Sequence, residues 1–265
     1  MYRKIISLAL ILVLFACTKV PLTGRKQFTA IPSSQINALG VDSYNQVIDQ
    51  TGISDNEEYI AQVKRVGVRI SEAVEKYLAE HTLLDKIEGF SWEYKVLKSD
   101  QLNAFCLPGG KIAFYEGIMP VCQDDNGVAV VMSHEIAHAV ASHGNERMSQ
   151  ALVVNLGGMA LSEALTTQPQ MTYNLAMAAF GLGSQVGVML PYSRLHESEA
   201  DELGLYFMAM AGYDPRKAPE FWRRMLDKGG ERPPEFLSTH PNPENRIDDL
   251  NSHMEKAMTY YTENQ

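Results

Sequence analysis

Two hydrophobic periods run through this chain and divide most of it into helices and a few short strands. From Glu57 to Glu80 the apolar residues Ile60, Val63, Val66, Ile70 and Val74 recur close to every 3.6 positions behind an acidic start. That pattern predicts a long amphipathic helix lying over a core. Val128 to Ala141 is nearly continuous apolar sequence and reads as a buried helix. Trp92 to Lys98 alternates in polarity, Lys111 to Glu116 does so more weakly, and Pro108-Gly109-Gly110 separates the latter from Asn103-Ala104-Phe105. Short strands joined by a tight turn are expected there. Asp214-Pro215 reads as an N-cap with Pro at the first helical position, Gly229-Gly230 as the end of that helix, and Asn242 to Met258 as the last helix.

Two apolar stretches need separate treatment. Ala151 to Leu190 is rich in Met, Ala and Gly, but Asn155, Glu163, Gln168, Gln170, Asn174 and Gln185 interrupt it. Those interruptions come too often for a membrane span of about 20 residues, so buried or groove-lining helices are expected, with a lid or a lipid-facing patch as the alternatives. At the N-terminus, Arg3-Lys4 precede Ile5 to Phe15, which is short for a bilayer span and reads as the core of a signal peptide. Leu14-Phe15-Ala16-Cys17 follows and resembles a bacterial lipobox, although Phe15 is bulky for that position. The expected division is therefore a leader over 1–16, a lipidated Cys17 and tether over 17–33, and a folded domain over 34–265.

Composition narrows the function. The 265 residues carry a formal charge of −9, which becomes −11 once a leader holding Arg3 and Lys4 is removed. Clustered Lys and Arg are missing, which argues against nucleic-acid binding. Setting Cys17 aside leaves Cys106 and Cys122. They could pair in an oxidising compartment or stay as two buried reduced thiols, and they lack CxxC spacing. A TPR-like 34-residue period is absent, so no repeat domain is expected.

The candidate chemistry lies in His134-Glu135-Ile136-Ala137-His138, inside the apolar helix. Residues four apart share a helix face, so His134 and His138 can offer two imidazole nitrogens to one metal ion with Glu135 beside them. A third ligand is required. The extended motif that supplies a Gly and a third His does not fit, because positions 141 and 144 hold Ala141 and Gly144. His143 falls off the shared face and reads as a neighbour of the ligands or a helix-end residue. About sixty residues on, Glu197 and Asp201 are four apart, so one carboxylate can bind metal while the other accepts a hydrogen bond from a ligand histidine. His196 is a rival by chemistry with only Ala200 at its i+4 position, and Glu199 and Glu202 read as solvated helix charges.

With these residues in view the chain resembles the M48 family of zinc metallopeptidases. The resemblance rests on HEIAH, on Ser193 to Gly204, on Asn103 to Ile112 upstream of the helix, and on Ser238-Thr239-His240-Pro241 with Arg246-Ile247 near the C-terminus. It implies an α+β, mostly α zincin domain of the gluzincin type, with a small β-sheet beside the HExxH helix. It implies one zinc ion held by His134, His138 and Glu197, with Glu135 as general base and Asp201 as the partner of a ligand. It also brings His240 near the metal, as an oxyanion stabiliser or a fourth ligand.

The expected activity is that of a zinc-dependent endopeptidase cleaving misfolded or unassembled cell-envelope proteins, with protein and peptide substrates. A sheet edge would pair with extended substrate. The expected location is a bacterial cell envelope, periplasm-facing and anchored to the membrane through Cys17, at the outer membrane. An envelope chaperone that holds clients in the same groove and rarely cuts is the alternative, and a metal-free scaffold is a third reading.

Overall fold

The computed structural model describes residues 17–228, 235–240 and 245–263. The expected leader 1–16, the Gly229-Gly230 helix end and the first residues of the expected last helix lie outside them.

The chain opens with a two-stranded antiparallel ribbon, β1 (Cys17–Lys19) and β2 (Lys26–Phe28). Two helices follow, α1 (Ser33–Thr51) and α2 (Glu57–Glu80). The second has the boundaries read from its periodicity. Asn56 caps it by accepting from the Tyr59 N–H, and it buries Val63, Val66, Ile70, Val74 and Leu78. Each such side chain contributes roughly 1.5–3 kcal/mol on burial.

A three-stranded sheet comes next: β3 (Glu93–Leu97), β4 (Ala104–Leu107) and β5 (Lys111–Tyr115), in the order β3-β5-β4. β3 runs parallel to β5 and β4 antiparallel to it, so β4 is an edge strand. The expected turn at Pro108-Gly109-Gly110 joins β4 to β5. Gly109 and Gly110 hold φ of +88° and +78°, a region that a side chain disfavours.

The remaining helices are α3 (Met119–Cys122), α4 (Asp125–Val140), α5 (His143–Ala164), α6 (Gln170–Ser184), α7 (Leu190–Met210), α8 (Lys217–Asp227), α9 (Glu235–Thr239) and α10 (Arg246–Glu263). Asp124 caps α4 by accepting from the Gly127 N–H, and every residue from Val128 to His138 is buried. α4 is the central helix, packed against α2, α7 and α8. It crosses α7 at Gly204, where a Cβ would lie 3.2 Å from the backbone of His134. This glycine lets the two chemistry-bearing helices approach closely. α8 starts at Lys217 rather than at Pro215, because the Asp214 carboxylate turns the chain first by accepting from the Arg216 N–H.

Residues 17–25, expected within the tether, pack on the domain: β1 pairs with β2, Val20 is buried, and Thr23 and Arg25 bond to residues of α5 and α7. One expectation is corrected here: the segment 151–190 is not buried. α5 and α6 form a hairpin, and no residue from Ala151 to Leu195 is buried. An apolar pattern shows which side chains avoid water, but not whether protein covers them.

Candidate metal centre

α4 presents His134 and His138 on one face, one turn apart, and α7 brings Glu197 against them. His134 Nε2 lies 3.2 Å from His138 Nε2 and 3.4 Å from Glu197 Oε2, and His138 Nε2 lies 3.4 Å from Glu197 Oε1. The turn after α9 adds His240, whose Nδ1 is 3.2 Å from His134 Nε2 and 3.0 Å from Glu197 Oε2. Donor atoms of these four residues all fall within 4.8 Å of one another. Phe236 stacks on the His240 ring, with centroids 4.5 Å apart.

The surroundings fix which imidazole nitrogens are bare. His134 Nδ1 lies 2.9 Å from Asp201 Oδ1, so Nδ1 carries the hydrogen and Nε2 faces the cluster with its lone pair. His138 is oriented through a longer chain. His143 Nε2 is 3.0 Å from Glu199 Oε2, and its Nδ1 is 2.8 Å from His138 Nδ1. Burial holds His143 well below its ordinary pKa and therefore neutral. A carboxylate only accepts, so His143 donates from Nε2 and accepts at Nδ1. His138 must then donate from Nδ1, which leaves its Nε2 bare.

Two bare nitrogens 3.2 Å apart beside a buried carboxylate are mutually repulsive until a cation sits among them. Two imidazoles and one carboxylate oxygen are a donor set that suits zinc. Without a metal the cluster draws a proton instead. Burial opposes charge on His134, but hydrogen bonds to Asp201 and Glu197 outweigh it and raise its pKa to about 9. His138, for which burial dominates, is pushed down to about 3. Burial also opposes ionisation of Glu197, yet His138 and His240 hold it well below the usual carboxylate range.

Glu135 borders the same space. Its Oε2 accepts from the Cys106 N–H of β4 at 3.2 Å, and its Oε1 lies 3.4 Å from His240 Nε2. Burial pushes its pKa up. A cleft of about 300 Å³ runs from His138 past Cys106, Leu107 and Pro108 towards α1.

Several partners escaped the sequence reading. Arg246, fully buried, donates from Nε to Asp201 Oδ2 at 2.7 Å and from Nη2 to Glu197 Oε2 at 2.9 Å, with its guanidinium 3.9 Å over the Trp222 ring. Glu199 is not a solvated charge. It is buried and accepts from Thr23 Oγ1 at 2.6 Å and from Arg25 Nε at 2.8 Å as well as from His143. Arg25 also donates to both oxygens of Glu146, which holds His196 at 2.8 Å. His196 thus stacks on His143 and stays out of the donor cluster. Only Arg246 had a signal, its place in the C-terminal family signature. Cys106 and Cys122 are both free thiols.

Comparison with known proteins agrees with this geometry. Residues 67–254 match the profile described as peptidase family M48. A mitochondrial metalloendopeptidase OMA1 of Schizosaccharomyces pombe is 29% identical over 241 residues, covering 90% of this chain and 67% of the relative. Its namesake in Saccharomyces cerevisiae is 31% identical over 255 residues, covering 92% and 70%. The beta-barrel assembly-enhancing protease of Escherichia coli is 29% identical over 166 residues, 60% of this chain and 33% of that protein.

These relatives correct the expected location. Those aligned over nine-tenths of this chain are mitochondrial proteins of eukaryotes, which overturns the placement as a bacterial outer-membrane lipoprotein facing the periplasm. A basic N-terminus followed by a short apolar stretch is a feature that more than one targeting route reads, and so it does not by itself name a compartment.

Proposed function

This chain belongs to peptidase family M48 and is a zinc metalloendopeptidase; from that premise we propose how its residues divide the work and what they cut. His134, His138 and Glu197 hold the zinc, Glu135 is the general base, Asp201 positions His134, and His240 stands beside the reacting carbonyl. The observation that carries this reading is the convergence of four donor side chains within 4.8 Å, with Glu135 Oε1 facing the same space.

When bound by these residues, zinc would supply Lewis acidity, lowering the pKa of a water to about 7 and polarising a carbonyl. Glu135 takes a proton at Oε1 while the Cys106 N–H steadies Oε2, and later returns it to the leaving amine. His240 Nε2 donates towards the oxygen where negative charge grows. Arg246 and Asp201 keep Glu197 and His134 from turning away.

The substrate is an extended segment of an unfolded or unassembled protein. It lies along the outer edge of β4, one side of which pairs with β5 while the other borders the cleft. Backbone pairing fixes register and reads little sequence, which suits varied clients. A leader over 1–16 and an acyl group on Cys17 remain within the proposal as an N-terminal attachment, checked by intact-mass measurement of the purified chain.

Glu135→Gln is the decisive variant. We expect it to retain zinc and lose cleavage of an unfolded casein-like protein. Cleavage at the wild-type rate would refute the assignment of the base, and full cellular activity without cleavage would favour the holding role instead.

A further inference from the structure

We infer that the α5–α6 hairpin inserts into a lipid bilayer. A π-helical turn, Gln185–Met189, joins α6 to α7 without a break, and the resulting helix Gln170–Met210 is long and apolar enough to cross a membrane, with no buried residue in its most apolar window. That excludes a soluble core helix, and its place in mid-chain excludes a signal sequence.

The hairpin has the dimensions and the chemistry that lipid requires. At 1.5 Å per residue, Met148 to Ala164 spans about 25 Å and Met171 to Tyr192 about 33 Å, against a hydrocarbon core of about 30 Å. Between Arg147 and Arg194 the only charged side chain is Glu163, close to the polar tip Thr166–Gln170. Arg147, Arg194 and Tyr192 are exposed together at the base, where phosphate headgroups would meet them. Large apolar side chains project from both helices: Leu152, Leu156 and Met159 on one, Met171, Leu175 and Leu182 on the other.

The two helices meet as helices do in lipid, through small residues and a polar clasp. Gly157 and Gly158 pack on the Phe180 ring, and the Ser162 and Tyr173 hydroxyls lie 2.9 Å apart. Gln170 is bonded to Asn174, and Ser184 donates to the Gly181 carbonyl, so two of the six polar residues that interrupt the sequence pattern pair with each other within the hairpin. A protein partner or second copy would cover one face. Apolar surface on both helices fits a solvent that surrounds the hairpin.

The base of the hairpin holds His143, Glu146 and His196, which adjoin the ligand network. Insertion would therefore hold the metal centre at headgroup level, facing chain segments that leave the membrane.

The test uses the full chain with one tryptophan added at Leu156→Trp, Leu175→Trp or, as an exposed control outside the hairpin and its apolar faces, Ile53→Trp. Each is mixed with vesicles of phosphatidylcholine and phosphatidylglycerol carrying bromine on their acyl chains. An indole in the hydrocarbon should lose emission to bromine, so quenching is expected at 156 and 175, absent at the control position, with native Trp92 and Trp222 subtracted. The readout is local, and so an N-terminal attachment alone cannot produce it. Continued quenching of 156 and 175 by aqueous acrylamide would overturn the inference. So would shielding from acrylamide without bromine quenching, which would indicate a protein partner, or equal quenching at all three positions, which would indicate non-specific adsorption.

Discussion

Replacing Arg25 with Met would keep an aliphatic stem in place and remove a guanidinium that neutralises two carboxylates far away in sequence. Glu146 and Glu199 are 2% and 5% exposed at their side chains. Burial resists ionisation of Glu146, yet hydrogen bonds from His196 and Arg25 hold its pKa at about 2 instead of the ordinary 4.5. That difference corresponds to about 3 kcal/mol at neutral pH, shared between the two partners. Glu199 loses a second bond at the same time, so the expected cost of Arg25→Met is about 3 kcal/mol, at the low end for breaking a buried pair. This corresponds to a fall in Tm of roughly 6–12 °C.

The sign of the pH dependence follows from the depressed value. The Glu146 contribution is complete above pH 4.5 and is lost as pH falls through about 2, so wild type and variant should converge in acid. Urea unfolding of the metal-free proteins at pH 7 and again near pH 3 reads both quantities. A loss below about 1 kcal/mol at pH 7, or an equal loss at both pH values, would refute the reasoning.

Glu199→Gln should raise the zinc dissociation constant by about 10-fold or more, since Gln can also donate and no longer dictates which His138 nitrogen is bare; chelator competition reads it, and unchanged affinity would contradict the tautomer argument. Glu135→Gln should lower cleavage by roughly 10²–10⁴-fold with zinc content intact, and a metal-free variant would mean that Glu135 is structural. Gly204→Val should cost about 1–3 kcal/mol and weaken zinc binding, because its side chain would meet the His134 backbone and push α7, with Glu197, away from α4; thermal unfolding and metal content together test this.

Helix periodicity carried the sequence reading furthest. His134 with His138, and Glu197 with Asp201, were legible because four-residue spacing places side chains on one face whatever the rest of the chain does. The β4–β5 turn was legible because two adjacent glycines at positive φ leave a local mark. Glu199 and His143 were not, since their role depends on Arg25 and Thr23, which lie 174 and 176 residues from Glu199. No local pattern encodes that contact. The hairpin failed for a different reason: residues 151–190 were recognised as apolar, but only the tertiary structure shows that no protein surrounds them. Arg246 stood in a recognised signature without a role until its guanidinium could be seen against Glu197 and Asp201.

The most direct test of the metal centre is elemental analysis of the purified, folded chain beside its Glu197→Ala variant. About one zinc per wild-type chain, falling sharply in a variant that still folds, is the expected result. Zinc retained in full by Glu197→Ala, or a folded wild-type chain that binds none, would contradict the ligand set on which the account rests.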